Sequence, residues 1–192
     1  MSRSKLKKKA KGREEKTTIF EKVWPILLRF AIASIWIYAG VFEKLLNPGF
    51  LNPSSISYVG ITIQVLLQGP IMRGFLEAVV LPHVLLVGEL VMIGEISFAV
   101  LTLTGTFSRF ANTVAFYTNL IYFLSAYWAD TEEYGINLLM MLVDLYIVIN
   151  GVKGPSIDSL IAKKWNKIND WKLWFLMGSI FYLSIILFLY FT

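Results

Sequence analysis

The sequence predicts an all-α integral membrane protein. Its expected architecture is a four-helix transmembrane bundle plus a fifth, C-terminal transmembrane helix, with interfacial or re-entrant helices between the first two spans. Three observations carry this. The 192 residues are 56% hydrophobic and only 16% charged, with a mean hydropathy of +0.63, whereas a soluble domain carries about 25% charge. Several apolar stretches reach the roughly 20 residues that a spanning helix needs. Polar and ionisable residues inside those stretches recur every seven residues, which gathers them on one face of a helix.

The second span, Leu81 to Gly105, organises the others. It holds Glu89 and Glu95 at hydrocarbon depth, where each charge costs about 2.5–3.5 kcal/mol. Such a helix is tolerable only in a bundle that supplies partners. At 100° per residue, about 120° separates the two acids, so they face different neighbours. Gly88 and Gly94 permit close helix approach.

Residues 1–22 form a basic cytoplasmic tail. Nine of the 18 basic residues lie there: Arg3, Lys5, Lys7, Lys8, Lys9, Lys11, Arg13, Lys16 and Lys22. Beside a membrane segment, such a run touches anionic lipid and sets topology; it is not read as a nucleic-acid site. The first span runs from about Trp24 to Leu46, with Pro25 in its opening turn. Arg29, Trp36 and Glu43 recur every seven residues and turn inward. Asn47-Pro48-Gly49 ends that helix. Apolar pieces around Ile61–Leu67 and Ile71–Val80 follow, split by Gly69-Pro70. Neither can span, so both are expected to cap one mouth of the bundle. Arg73 and Glu77 stand four apart, placed to pair.

The third span, from about Phe110 to Trp128, carries Asn112 and Asn119 one heptad apart, with Tyr122 close by. The fourth, from about Tyr134 to Gly151, repeats Asn137, Asp144 and Gly151, which turns Asp144 inward at mid-depth. The bundle proper is residues 23–158. Residues 159–192 hold the rest of a basic amphipathic connection and the uncharged last helix, Trp171–Phe191, which is free to face lipid or to dock a partner.

Loop charge sets orientation. The tail, Arg109, Lys153, Lys163, Lys164, Lys167 and Lys172 fall on one side; Lys44 and Arg73 fall on the other. This predicts a multi-pass plasma-membrane protein with a cytoplasmic N-terminus and its C-terminus outside. Within the membrane, Arg29 is expected to pair with Asp144 or Glu95, and Lys44 with Glu89. Glu43 joins this set of buried charges near the outer face, where His83 also lies. The acids Glu43, Glu89, Glu95 and Asp144 outnumber the bases Arg29 and Lys44. At least one acid is therefore expected to be neutral or to line a cavity; otherwise the pairs simply hold the bundle together. With no cysteine and one histidine, no haem, iron–sulfur or other metal site is expected from this chain alone.

Helix 1 reads LLRFAIASIWIYAGVFEKLLNP, with Arg29, Ala39-Gly40 and Lys44. Helix 2 continues as VGELVMIGEISFAVLTLTGTFSRFA, with Gly88, Glu89, Gly94, Gly105 and Arg109. After helix 4 comes NGVKGPSID, with Gly151, Gly154 and Asp158. From about Leu28 to Asp158 this resembles the DoxX/DoxD family of membrane proteins, most closely its DoxD branch, which provides a subunit of archaeal thiosulfate:quinone oxidoreductase. The last helix and Glu95 are not part of the pattern. The resemblance implies a small DoxA-type membrane partner, oxidation of thiosulfate to tetrathionate, and electron transfer to non-covalently bound membrane quinone. Trp36, Tyr38 and Tyr122 are then the expected walls of a quinone slot, with Glu89 and His83 as the catalytic proton-exchanging groups. Lys44 and Arg73 are the cations available to a thiosulfate anion. The alternative is a non-catalytic accessory subunit of a haem–copper terminal quinol oxidase. A transporter is disfavoured, because the chain shows no inverted repeat and no paired broken helices at the midplane.

Overall fold

The computed structural model describes residue 21 and residues 23–129 and 131–192; the expected basic tail lies almost wholly outside them. Among the described residues the chain is helical, with no strand. The helices are α1 (Val23–Leu45), α2 (Val59–Leu66), α3 (Arg73–Thr104), α4 (Ser108–Ala126), α5 (Thr131–Asn150), α6 (Ile157–Ile161) and α7 (Trp171–Phe191). Three of them, α1, α3 and α7, are long and apolar enough to cross a bilayer, which marks a multi-pass membrane protein. With 19 and 20 residues, α4 and α5 reach about 28–30 Å, but both bury polar side chains.

At one end of the bundle lie the start of α1, the end of α3, the start of α4, the end of α5 and the start of α7; this is called the basic end below. α4 is central and packs on α3, α5 and α7. The main core joins Ile32 and Trp36 of α1, Phe98 and Ala99 of α3, Val114 and Ala115 of α4, and Met140 and Ile147 of α5. A second cluster at the opposite end joins Phe50, α2, the first turns of α3 and Leu189 of α7.

The apolar piece before Leu81 and the second span form a single rod, where two separate segments were expected. Pro82 offers no N–H to the helical ladder. The rod absorbs this with a π segment, Leu76–Val80, followed by a 3-10 turn, Leu81–His83.

The last helix docks on its own chain. A Cβ at Gly178 would lie 2.7 Å from the Thr113 Cβ, so α7 and α4 touch where side chains are small. Tyr117 Oη and Ser179 Oγ are 3.0 Å apart, and Tyr117 stacks on Tyr182 with centroids 5.4 Å apart. A Gly178→Leu variant is expected to pry this seam open at a cost of about 1–3 kcal/mol. Thermal unfolding in detergent checks it, and an unchanged midpoint would rule the seam out.

Helix ends at the basic end are held by charged side chains. Arg29, 5% exposed, donates from Nε to Thr102 O at 3.0 Å, from Nη1 to Pro155 O at 2.7 Å and Lys153 O at 3.2 Å, and from Nη2 to Leu103 O. The expected ion pair with Asp144 or Glu95 is not formed. Helix C-terminal carbonyls lack intrahelical donors and form the negative end of the helix dipole, so the guanidinium takes them instead of a carboxylate. Arg109 does the same for α5, donating to Val148 O and, at 2.7 Å, to Ile149 O. At Gly151, with φ of +69°, a Cβ would come within 3.0 Å of that guanidinium. Asp158 serves the opposite polarity: its carboxylate accepts from Phe107 N at 2.7 Å, Ser108 N at 2.9 Å and Ser108 Oγ at 2.6 Å, capping the start of α4.

Candidate functional site

Thr102 fixes the register of the bundle. Its carbonyl accepts from Arg29, and its hydroxyl accepts from Asn112 Nδ2 at 2.9 Å, so α1, α3 and α4 are level there. Seven residues further from the basic end, about 10 Å along each helix, stand Trp36, Glu95 and Asn119. Asn119 Nδ2 donates to Asp144 Oδ2 at 2.8 Å, which brings α5 to the same level. Four helices thus contribute one polar-bearing side chain each to a middle layer. Exposure there is 2% for Trp36, 1% for Glu95 and 0% for both Asn119 and Asp144.

Glu95 is the hub. Its Oε2 lies 2.6 Å from Lys44 Nζ, and its Oε1 accepts from the Tyr122 hydroxyl at 2.9 Å. Lys44 also donates to Ala39 O at 3.2 Å and lies 5.8 Å from the Phe50 ring centroid. Helical side chains lean toward their own N-terminus. On antiparallel α1 and α3, Lys44 and Glu95 therefore lean toward each other. Gly40 makes the approach possible: a Cβ there would sit 2.9 Å from Ile96 N and 3.1 Å from Glu95 Cβ.

The partner of Glu95 depends on a local change of helix type. From Tyr38 to Leu45, α1 is a π-helix, whose i→i+5 bonds put one more residue in each turn. The seven-residue stripe from Arg29 and Trp36 therefore slips by one. Lys44 takes the inward position expected for Glu43, and Glu43 is exposed. This corrects two expectations: Glu43 is not a buried ion-pair partner, and Lys44 pairs with Glu95, not with Glu89.

The remaining expected site residues are dispersed. Glu89 is exposed on α3 and has no hydrogen-bond or ion-pair partner among the described residues. His83 is partly buried at the α3 joint. Tyr38 is 61% exposed and stacks on Phe42 with centroids 6.0 Å apart. Trp36 is enclosed and meets Phe98 edge-on at 5.2 Å. The expected quinone slot of Trp36, Tyr38, Glu89 and Tyr122 is thus split between the core and the outer surface, because neighbouring positions on one helix point different ways. Arg73 is exposed and donates to Leu67 O at 2.8 Å; it forms no ion pair with Glu77.

Sequence reasoning missed two connections. Asn119 was visible only as half of a polar stripe, and its bond to Asp144 depends on the α4–α5 pairing. The sequence marks Tyr122 only as a ring wall, but its hydroxyl donates to Glu95. Chemically, Lys44, Glu95 and Tyr122 form a short run of ionisable side chains joined by direct contacts.

A family model described as "TQO small subunit DoxD" matches residues 24–188. No curated protein and no solved structure matches the chain. The matched region extends beyond Asp158 and takes in most of α7, so the last helix lies within the family pattern. With nearly the whole helical bundle covered, the chain belongs to the DoxD family.

Proposed function

We propose that the chain is the small membrane subunit of a thiosulfate:quinone oxidoreductase, and that Glu95 exchanges protons with the quinone. Membership of the DoxD family supports the reaction. The observation that carries the role is the buried Lys44–Glu95–Tyr122 run. In the overall reaction two thiosulfates each give up one electron and join through a new S–S bond. The quinone takes both electrons and two protons. A DoxA-type partner subunit holds the sulfur chemistry, because Lys44 is engaged by Glu95 and Arg73 by a carbonyl. The quinone ring approaches from the lipid side, against the exposed Tyr38–Phe42 pair on the π-helical turn that bears Lys44. Five spans, with the basic end toward the cytoplasm, complete the arrangement in the plasma membrane.

The test is native purification in mild detergent, followed by thiosulfate-dependent reduction of decylubiquinone. The wild-type complex is expected to turn over. Glu95→Gln is expected to lower the rate by about 100-fold while the complex stays assembled. Full activity in that variant would end the proton-exchange role, and no turnover by the wild type would end the assignment. A second reading, an accessory subunit of a haem–copper quinol oxidase, draws on the same engaged cations. Co-purification of haem–copper subunits in fixed ratio would favour it.

A further inference from the structure

Three buried polar atoms of the middle layer have no partner among the described residues: Trp36 Nε1, Asn119 Oδ1 and Asp144 Oδ1. Trp36, one turn of α4 (Ala115) and two turns of α5 (Met140 and Ile147, on either side of Asp144) belong to one packed cluster. The register set by Thr102 puts Trp36 and Asn119 at the same depth. Such atoms cannot turn to solvent, and an unmet donor or acceptor in an apolar core is disfavoured. Their types are complementary to a single small molecule. The indole N–H is a donor, and the amide and carboxylate oxygens are acceptors. A water molecule accepts one such bond and donates two, which is the usual number of partners for a buried water.

We propose that the middle layer traps a water molecule held by Trp36 Nε1, Asn119 Oδ1 and Asp144 Oδ1, and that Asp144 is thereby a second buried proton-exchange group, connected along α4 to Glu95. The connection follows one seam of α4. Tyr122, Asn119, Ala115, Asn112 and Ser108 alternate at spacings of three and four residues, as positions on one face do. Tyr122 reaches Glu95, Asn119 reaches Asp144, and Ser108 reaches Asp158 at the basic end. Asn112 Oδ1, between them, is also unpartnered. The trapped water rests on the three unpartnered atoms and the helix register, whereas the proton connection rests on the quinone reading above.

The experiment has two arms. In the first, the purified full-length chain is examined by infrared spectroscopy in ordinary water and in water enriched in oxygen-18. An isotope-sensitive band from an isolated internal water is expected in the wild type. It should vanish in Trp36→Phe and in Asn119→Leu, and shift but persist in the near-isosteric Asp144→Asn. Absence of the band in the wild type, or an unchanged band in all three variants, overturns the water site. In the second, Asp144→Asn is assayed in the active complex. A fall in kcat of about 100-fold at unchanged KM for thiosulfate is expected. An unchanged rate overturns the connection to Glu95. A wild-type complex without quinone reduction counts against the proposed function and leaves the infrared result standing.

Discussion

Glu95→Leu is expected to destabilise the bundle by about 3–5 kcal/mol, because it leaves the Lys44 ammonium buried without its counter-charge. Lys44 is only 15% exposed and Glu95 1%. The same substitution combined with Lys44→Met is expected to be far milder, neutral or even stabilising, since replacing both members of a buried pair by apolar groups removes two desolvation costs at once. Thermal unfolding of the two variants in one detergent decides this. Equal losses in the single and double variants would mean that shape, not charge, holds α1 to α3. The double variant also separates the two roles of Glu95, because it is expected to stay folded while losing proton exchange with quinone.

Arg29→Met is expected to cost about 3 kcal/mol or more. It removes a charged donor from four carbonyl oxygens, two at the end of α3 and two in the segment after α5, and bonds to charged groups contribute about 1.5–3 kcal/mol each. Arg29→Lys should recover only part of this, because one ammonium cannot reproduce a planar fork of five donors. Hydrogen exchange gives the local check: amides of residues 151–158 should lose protection more than those of α4 and α5. Uniform loss across the chain would argue against a local clasp.

The seven-residue stripes were readable wherever the helix stayed α-helical. Arg29 with Trp36, and Asn112 with Asn119, fall where their spacing puts them, and Asp144 is fully buried. The stripe failed at Glu43 because spacing arguments assume 3.6 residues per turn, and composition carries no mark of the π segment. Arg29 departs from its expected carboxylate partner for another reason. Pairing side chains by sign overlooks backbone carbonyls, which outnumber buried carboxylates and are concentrated at helix ends. The separation expected between the piece ending at Val80 and the span starting at Leu81 is absent, because the 21 residues of ordinary α-helix behind Pro82 carry the rod on. The docking of α7 was not visible because it depends on Gly178 meeting Thr113, two small residues far apart in the chain with no local signature.

The π-helical turn of α1 also determines what the chain can lose or gain. Surface loops generally absorb insertions and deletions, as the Asn47–Tyr58 connection could. This helix tolerates one specific loss. Deleting a single residue between Tyr38 and Lys44 would remove the extra residue of the π segment, let α1 close into ordinary i→i+4 geometry, and leave the lysine seven places after Trp36, still facing Glu95. Restoring α geometry with the chain at its present length would instead bring Glu43 to that place, and attraction would become repulsion with no side chain altered. The sign of the charge opposite Glu95 is thus set by a match between helix type and residue count over one short stretch.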